Sequence, residues 1–178
     1  DEDGNISMDH EALTGMEMEM AAAVHNSGGI VIAQVEDIVE RGSIHPKKVR
    51  IHRALVDYVV KAEPERHRQG YATDAYRPEL SGEVRRPTNA LAPMAMGVRK
   101  IIARRGVLEL RPDVVINLGI GIPSGVGSVA NEEGIASRAI LSLESGPMGG
   151  VPVEGVGFAA AVNPEAIDTI CDTLDMYD

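Results

Sequence analysis

A strand–loop–helix–strand pattern in the second half of the chain limits the possible folds more than any other feature of the sequence. The β-branched run at 114–118 predicts a buried strand, and the glycine loop (residues 119–123) follows it. Residues 124–133 then predict a short helix with Ser124 as its N-cap, and the apolar run at 139–143 predicts a second strand. Two strands joined through a helix in this way form a right-handed parallel unit. The chain is therefore expected to be an α/β protein.

Glu144 directly follows the second of these strands. In parallel α/β sheets, ligands bind in crevices at the carboxyl ends of strands, and a carboxylate there is costly to desolvate unless it has partners. The glycines that follow let other groups approach closely, and the residues after Glu144 predict turns that cannot continue regular structure. We hypothesise that Glu144 is a nucleophile; the alternative is a solvated carboxylate at a strand end. The turn-forming residues are Gly146, Pro147, Gly149, Gly150 and Pro152.

The glycine loop is expected at the same edge of the sheet as Glu144. A dinucleotide-binding fingerprint counted from Gly119 requires a third glycine at position 124, where the chain has Ser124, and Pro123 also alters the turn. The supported interpretation is more general: backbone N–H groups and a helix N-terminus face an anion or an acyl group. The alternative is a tight strand-to-helix turn that binds nothing.

The first half of the chain predicts a second α/β portion. Apolar residues at helical spacing predict a helix over 11–26, with Asp9 or Ser7 as its N-cap. The β-branched run at 29–35 predicts a buried strand, and the run at 55–60 predicts another.

In the segment between the two portions, apolar residues no longer recur at the spacing of a helix or a strand. Residues 61–90 are rich in charged residues and proline, which predicts a loop or linker. We therefore expect part of a first domain at 1–76, a linker at 77–90 and part of a second domain at 91–178. A helix is predicted over 90–105. Its apolar side would comprise Leu91, Met94, Ala95, Val98, Ile101 and Ile102.

Composition narrows the classes of function. The chain has 27 acidic and 17 basic residues among 178, a net charge of −10, which argues against general nucleic-acid binding. No apolar run approaches the roughly 20 residues of a membrane span. The single cysteine, Cys171, cannot form an internal disulfide, so a reducing, cytoplasmic setting is expected. Neither that cysteine nor the five histidines show the spacing of metal ligands.

Six runs of sequence resemble one family of enzymes, in the order in which that family has them, and cover nearly the whole chain. VVINLGIGIPSGVGSVANEEGI, LSLESGPMGGVP and AAAVNPEAID are similar to the second half of single-chain family I coenzyme A transferases. DEDGNIS, NSGGIVIAQVE and LSGEVRRP are similar to the later part of that family's first domain and to its linker. The group with the greatest resemblance comprises propionate and related short-chain acyl-CoA:acetate or 3-ketoacid CoA-transferases.

This resemblance implies a fold and a chemistry. The fold would be two Rossmann-like portions with mostly parallel sheets flanked by helices, joined by a linker. The family's Glu-x-Gly motif falls on Glu144, whose carboxylate would attack an acyl-CoA thioester and become a glutamyl-CoA thioester in a ping-pong cycle. Coenzyme A and short-chain carboxylates would be substrates, with no permanent cofactor or metal and with self-association into homo-oligomers. Candidates to bind CoA or the oxyanion are Gly119, Gly121, Gly146, Gly149 and Gly150.

The family's chain is longer, so this sequence is expected to be a central fragment that is weak or inactive alone. Ser124 and Gly127 also stand where a larger helix former is expected. The alternatives are a non-catalytic binding or assembly module of the same fold and, with less support, a nucleotide-dependent oxidoreductase. Local basic groups could serve the phosphates of CoA, although a solvated surface role is the alternative for each. These groups are Arg85, Arg86, Arg99 and Lys100.

Overall fold

The helices and strands form two groups along the chain, each with its own sheet. The structure is a computed structural model that describes residues 1–69 and 76–153 and the strand 161–170. The elements are α1 (Glu17–Asn26), β1 (Ile32–Val35), β2 (Tyr58–Lys61), α2 (Val98–Val107), β3 (Val115–Leu118), α3 (Ser124–Glu132), β4 (Ile140–Leu143), β5 (Pro147–Pro152) and β6 (Ala161–Ile170).

The first helix is shorter than predicted. It begins at Glu17 rather than at residue 11, and its N-cap is Met16, which provides no side-chain cap hydrogen bond. The prediction that Asp9 or Ser7 caps this helix is therefore wrong. Asp9 lies outside the helix, and its carboxylate pairs instead with Lys48 at 3.1 Å. The predicted end is confirmed, because the chain leaves the helix at Gly28 with a φ of 74°.

The two predicted strands of the first half form a parallel pair, with Ile32 opposite Tyr58. The prediction that the first of them is buried is wrong, because Ile32 is 64% exposed and Val60 on its neighbour is 50% exposed. A sheet of two strands leaves apolar side chains uncovered unless further layers pack on it, and parallel sheets are ordinarily covered on both faces. A cavity of about 1200 Å³, lined by residues of α1 and β1, lies in this portion.

The second sheet contains the predicted parallel unit. Strands β3 and β4 are parallel, with Val115 opposite Ile140 and Leu118 opposite Leu143, and α3 connects them. The sheet then continues antiparallel through β5 and β6, in the order β3-β4-β5-β6. This second sheet is therefore mixed rather than wholly parallel.

Strand β5 corrects one prediction. The glycines and prolines after Glu144 do continue regular structure, since β5 runs from Pro147 to Pro152. The strand accommodates them through irregular pairing: its register with β6 shifts at Met148/Gly149 and again before Val151. Gly149 and Gly150 take φ values of 80° and 78°, which residues with a Cβ rarely adopt.

Helices α2 and α3 cover one face of β3 and β4 and form the main core with them. Helix α2 begins at Val98 rather than at 90. Of its predicted apolar side, Val98 and Ile101 are 73% and 61% exposed, whereas Met94, which precedes the helix, packs against the core. The side of α2 that packs against α3 carries small residues because the two helices approach closely there. A Cβ on Gly106 would lie only 2.9 Å from Val126 Cγ2. The buried members of this core are Ala103, Val107, Leu110, Leu118, Val129, Ala130, Leu141 and Leu143.

A glycine where a larger helix former was expected has a packing reason. A Cβ on Gly127 would lie 2.6 Å from Pro152 Cδ and 3.3 Å from Leu141 Cδ1. The proline ring is fixed to the β5 backbone and cannot rotate away. We expect Gly127→Ala to lower the free energy of unfolding by about 2 kcal/mol, because the overlap outweighs the gain of about 1 kcal/mol in helix propensity. Urea unfolding monitored by circular dichroism measures this difference.

The matched control is Gly125→Ala in the same helix. It brings the same gain in helix propensity, but its nearest neighbour is the flexible Met94 side chain, whose Cε lies 3.2 Å from the added Cβ. We expect the free energy of unfolding of this variant to stay within about 0.5 kcal/mol of the parent or to rise. Equal losses in the two variants would contradict the role of Pro152.

A smaller apolar cluster connects distant parts of the sequence. Ala12 and Leu80 are each 2% exposed, and Leu91 and Val153 pack against them. The segment predicted as a linker therefore contributes a buried residue, while the domain boundaries stay predictions. Among the helices within the described residues, none is both long enough and apolar enough to cross a membrane.

Candidate functional site

Glu144 lies at the tip of a β-hairpin. Strand β4 ends at Leu143, and the backbone N–H of Gly146 donates to the carbonyl of Leu143 at 3.0 Å, which closes a turn around Glu144 and Ser145. Gly146 follows with a φ of 114°, so the three-residue loop resembles a common hairpin connection that ends in a left-handed glycine. Glu144 is exposed, whereas Gly146 is buried. The turn therefore presents the carboxylate to solvent on a fixed backbone.

The glycine loop begins beside this turn. Because Leu118 is opposite Leu143 in the parallel register, Gly119 and Glu144 both follow at the carboxyl edge of the sheet. A Cβ on Gly119 or Gly121 would meet no atom within 4 Å, so the space around the loop is open. The structure thus brings three predicted site residues, Glu144, Gly119 and Gly146, to one edge.

Ser124 closes the glycine loop rather than capping the helix. The N-cap of α3 is Pro123, and Ser124 is already helical, so the predicted capping role is wrong. Its hydroxyl instead donates to the carbonyl of Gly121 at 2.7 Å, and the residue is 1% exposed. Gly121 has a φ of 94°, which a glycine adopts without strain. The loop is therefore held in one conformation by a buried hydroxyl.

Two predicted site residues lie away from this edge. Strand β5 runs back from the turn, and its Met148 faces Ser142 on β4. Gly149 and Gly150 come after Met148, further along the strand and further from Glu144. A contact between them and a ligand at the turn stays a prediction.

Asn117 is a further candidate near the turn that the sequence did not single out. Its neighbours Ile116 and Leu118 contribute to the core, so the alternation of the strand places Asn117 on the opposite face, where it is exposed. It stands opposite Ser142, two residues before Glu144. The available signal was a polar residue inside an apolar strand immediately before the loop.

Two of the four proposed basic groups are engaged elsewhere. The ammonium of Lys100 lies 2.5 and 2.7 Å from the two carboxylate oxygens of Glu132 and donates to the carbonyl of Met94 at 2.8 Å. Its side chain is 8% exposed, so neither of the roles weighed for Lys100, phosphate contact or solvated surface, is correct. Arg86 donates to Ala90 O at 3.3 Å and lies 3.5 Å from Glu79.

Arg99 is exposed on α2, and Arg85 is exposed beside Arg86. Within residues 1–69 and 76–153, no group of three His, Cys, Asp or Glu side chains is placed to hold a metal ion. Cys171 lies outside the described residues.

Comparison with known proteins identifies similar enzymes. Residues 1–62 match the family model described as coenzyme A transferase. The acetate CoA-transferase YdiF of Escherichia coli O157:H7 is 38% identical over 177 residues, 99% of this chain and 33% of YdiF. The caffeate CoA-transferase of Acetobacterium woodii is 37% identical over 178 residues, which cover 100% of this chain and 34% of that enzyme.

The fold agrees with these matches. The crystal structure of an acyl-CoA transferase from E. coli O157:H7 (YdiF), a thioester complex with CoA, has a TM-score of 0.78 and 35% identity over 99% of this chain and 32% of that chain. The apoenzyme structure of the same protein has a TM-score of 0.76. The predicted α/β class and the predicted resemblance are therefore confirmed. The chain spans about a third of the length of the relatives that it matches.

Proposed function

From this confirmed resemblance to coenzyme A transferases, we propose that the chain carries the nucleophile of such an enzyme, Glu144. The observation that carries the proposal is the hairpin turn, which holds an exposed carboxylate at the carboxyl edge of the sheet beside the glycine loop. The proposed activity is transfer of CoA from a short-chain acyl-CoA to an acceptor carboxylate through a glutamyl-CoA thioester. The relatives named for acetate and caffeate transfer support the class of reaction.

The proposed cycle follows from carboxylate chemistry. A Glu144 oxygen attacks the thioester carbonyl, the carbon–sulfur bond breaks, and CoA leaves as a thiolate while an acyl-glutamyl anhydride remains. The thiolate then attacks the glutamyl carbonyl, releases the acyl group as a free carboxylate and forms the glutamyl-CoA thioester. An acceptor carboxylate reverses these two steps. Splitting the transfer in this way replaces one difficult step with easier ones.

The glycine loop is the part of the site best placed to stabilise the oxyanion of each attack. The N–H of Gly146 is already used by Leu143, so Gly146 shapes the turn rather than donating to a substrate. Gly119 begins beside Glu144, and the open space around Gly119 and Gly121 leaves room for a ligand. Backbone N–H groups fixed in advance stabilise developing charge without reorganisation. We therefore assign the oxyanion to the glycine loop.

The test is covalent capture. Capture needs only the first half of the cycle, so it is measurable in a chain expected to be weak in turnover. The folded chain is incubated with acetyl-CoA, and intact-protein mass spectrometry measures the mass of one CoA added to the chain. Peptide mapping should place that mass on Glu144, and borohydride reduction of the thioester should remove it. An adduct at any other residue would contradict the proposal.

Asn117 gives a second, smaller test. Asn117 stands opposite Ser142, on the face of the sheet away from Leu118 and Leu143, and its carboxamide can donate to an oxygen of the bound acyl-CoA. We expect Asn117→Ala to slow the formation of the CoA adduct by about tenfold to a hundredfold. This reduction is no greater than the one caused by removing a hydrogen-bond donor from an oxyanion hole. Single-turnover mass spectrometry measures the rate. Asn89→Ala, at another exposed asparagine, is the control and should leave the rate unchanged.

A non-catalytic assembly module is the second candidate, favoured by the exposed apolar side chains of the first sheet, where Ile32 is 64% and Tyr58 61% exposed. Under this alternative the chain associates with itself or with another chain and captures no CoA. Sedimentation velocity with and without acetyl-CoA, read together with the adduct mass, separates the two. For the transferase, we also propose that the protein forms homo-oligomers and is located in the cytoplasm.

A further inference from the structure

Both ring nitrogens of His10 face carboxylates. Nδ1 lies 2.9 Å from Glu36 Oε2, and Nε2 lies 3.4 Å from Glu83 Oε1. The ring also packs on Tyr76, with 5.0 Å between the ring centroids, and the carbonyl of His10 accepts a hydrogen bond from Gln69 Nε2 at 2.8 Å. His10 therefore contacts residues from several parts of the chain.

These contacts join segments that are distant in sequence. His10 precedes α1, and Glu36 directly follows β1 at the carboxyl end of the first sheet. Tyr76 and Glu83 belong to the 76–86 segment, which lies after both strands of that sheet. The same segment contributes Leu80, buried against Ala12. His10 thus adds a polar contact beside an apolar one, between the start of the chain and the 76–86 segment.

The geometry requires a particular protonation state. A neutral imidazole has one N–H donor and one acceptor nitrogen, whereas a carboxylate only accepts. Only the imidazolium can satisfy Glu36 and Glu83 at once; in the neutral form one nitrogen directs a lone pair at a carboxylate. We propose that His10 is a protonation-dependent latch that holds the 76–86 segment against the first α/β portion. The latch does not depend on the proposed catalysis.

The surrounding charges favour the closed latch at mildly acidic pH. The hydrogen bond to Glu36 raises the pKa of His10 above its ordinary 6.5, burial opposes the rise, and the nearby carboxylates of Glu83 and Asp9 add to it. Asp9 also pairs with Lys48 at 3.1 Å, which offsets part of its charge. A histidine whose pKa is raised in the folded state stabilises that state fully below its unfolded pKa. The latch contribution is therefore present below about pH 6.5 and is lost as pH rises through the raised value.

Hydrogen exchange of the 76–86 segment tests the latch. The amides of Leu80 and Glu83 donate to Arg77 O and Pro78 O, at 2.9 and 3.1 Å, so their exchange reports opening of the segment. After correction for the intrinsic pH dependence of exchange, we expect protection about threefold to tenfold greater at pH 6 than at pH 8.5. The effect is modest because His10 and Glu36 are both about half exposed and solvent screens their contact.

Three variants make the test specific. His10→Gln should remove the pH difference in protection. Glu83→Gln should also remove most of it while the pKa of His10, measured by NMR titration, stays above 6.5 because Glu36 remains. His25→Gln, at an exposed histidine in the last turn of α1, should keep the parent behaviour. Equal protection of the parent at the two pH values, or a full pH difference in Glu83→Gln, would overturn the proposal.

Discussion

Replacing Glu144 by glutamine is expected to abolish capture of CoA on the protein. The amide keeps the size and shape of the side chain but removes the nucleophilic carboxylate, so neither the anhydride nor the thioester can form. The turn should persist, because its closing hydrogen bond joins backbone groups of Leu143 and Gly146. We expect the yield of the CoA adduct from acetyl-CoA to fall by at least about a thousandfold. Intact-protein mass spectrometry at matched protein concentration measures it.

Two control variants show whether capture depends on the carboxylate at position 144 rather than on the loss of any negative charge. Glu109→Gln removes a carboxylate paired with Arg105 at 2.6 Å on the exposed surface and should leave capture unchanged. Glu144→Asp keeps a carboxylate but withdraws it by one methylene, so we expect slow but detectable capture, since a small displacement of reacting groups costs rate. A CoA adduct of normal yield in Glu144→Gln would show that another residue is the nucleophile.

Removing Glu132 is expected to cost more stability than removing any nearby surface carboxylate. Its two oxygens lie 2.5 and 2.7 Å from the Lys100 ammonium, which is 8% exposed, and this pair joins α2 to α3. Glu132→Ala leaves a buried ammonium whose one remaining partner among the described residues is the Met94 carbonyl. Deleting one partner of a buried pair typically costs about 3–5 kcal/mol, and the 27% exposure of the Glu132 side chain places the expected loss at about 3 kcal/mol.

The neighbouring Glu133 provides the comparison. It pairs with Arg104 at 2.7 Å between the same two helices, but the two side chains are 32% and 51% exposed. We expect Glu133→Ala to lower the free energy of unfolding by less than about 1 kcal/mol. Urea unfolding of both variants, fitted with a common slope, gives the difference. Similar losses at 132 and 133 would show that burial of Lys100 does not decide the outcome.

A double replacement distinguishes two causes of the stability loss in Glu132→Ala: the unpaired buried ammonium and the loss of the ion pair itself. Lys100→Met combined with Glu132→Leu removes both charges and keeps apolar volume, and buried pairs replaced in this way often lose little stability. We expect the double variant to be more stable than Glu132→Ala. This outcome would assign the large single-variant loss to the uncompensated ammonium rather than to the intrinsic strength of the pair.

Short-range sequence patterns were enough to predict the local elements around the candidate site. The apolar runs and the glycine loop act over a few residues, so they predicted β3, α3 and β4 close to their observed bounds. The handedness rule for parallel strands then placed Gly119 and Glu144 at one edge, in agreement with the observed register. The resemblance to CoA-transferases also came from contiguous motifs, which need no tertiary structure to be recognised.

Which side chains are buried, and which of them contact one another, became known from the folded chain. Helix α2 has apolar residues on more than one side, and contact with α3 buried Ala103 and Lys100 while it left Ile101 exposed. Strand β5 formed through glycines and prolines because neighbouring strands supply its hydrogen bonds and absorb its irregular register. Periodicity and propensity describe a segment alone. Burial, ion pairing and the irregular register of β5 depend on partners elsewhere in the chain, and for that reason they emerged only from the folded chain.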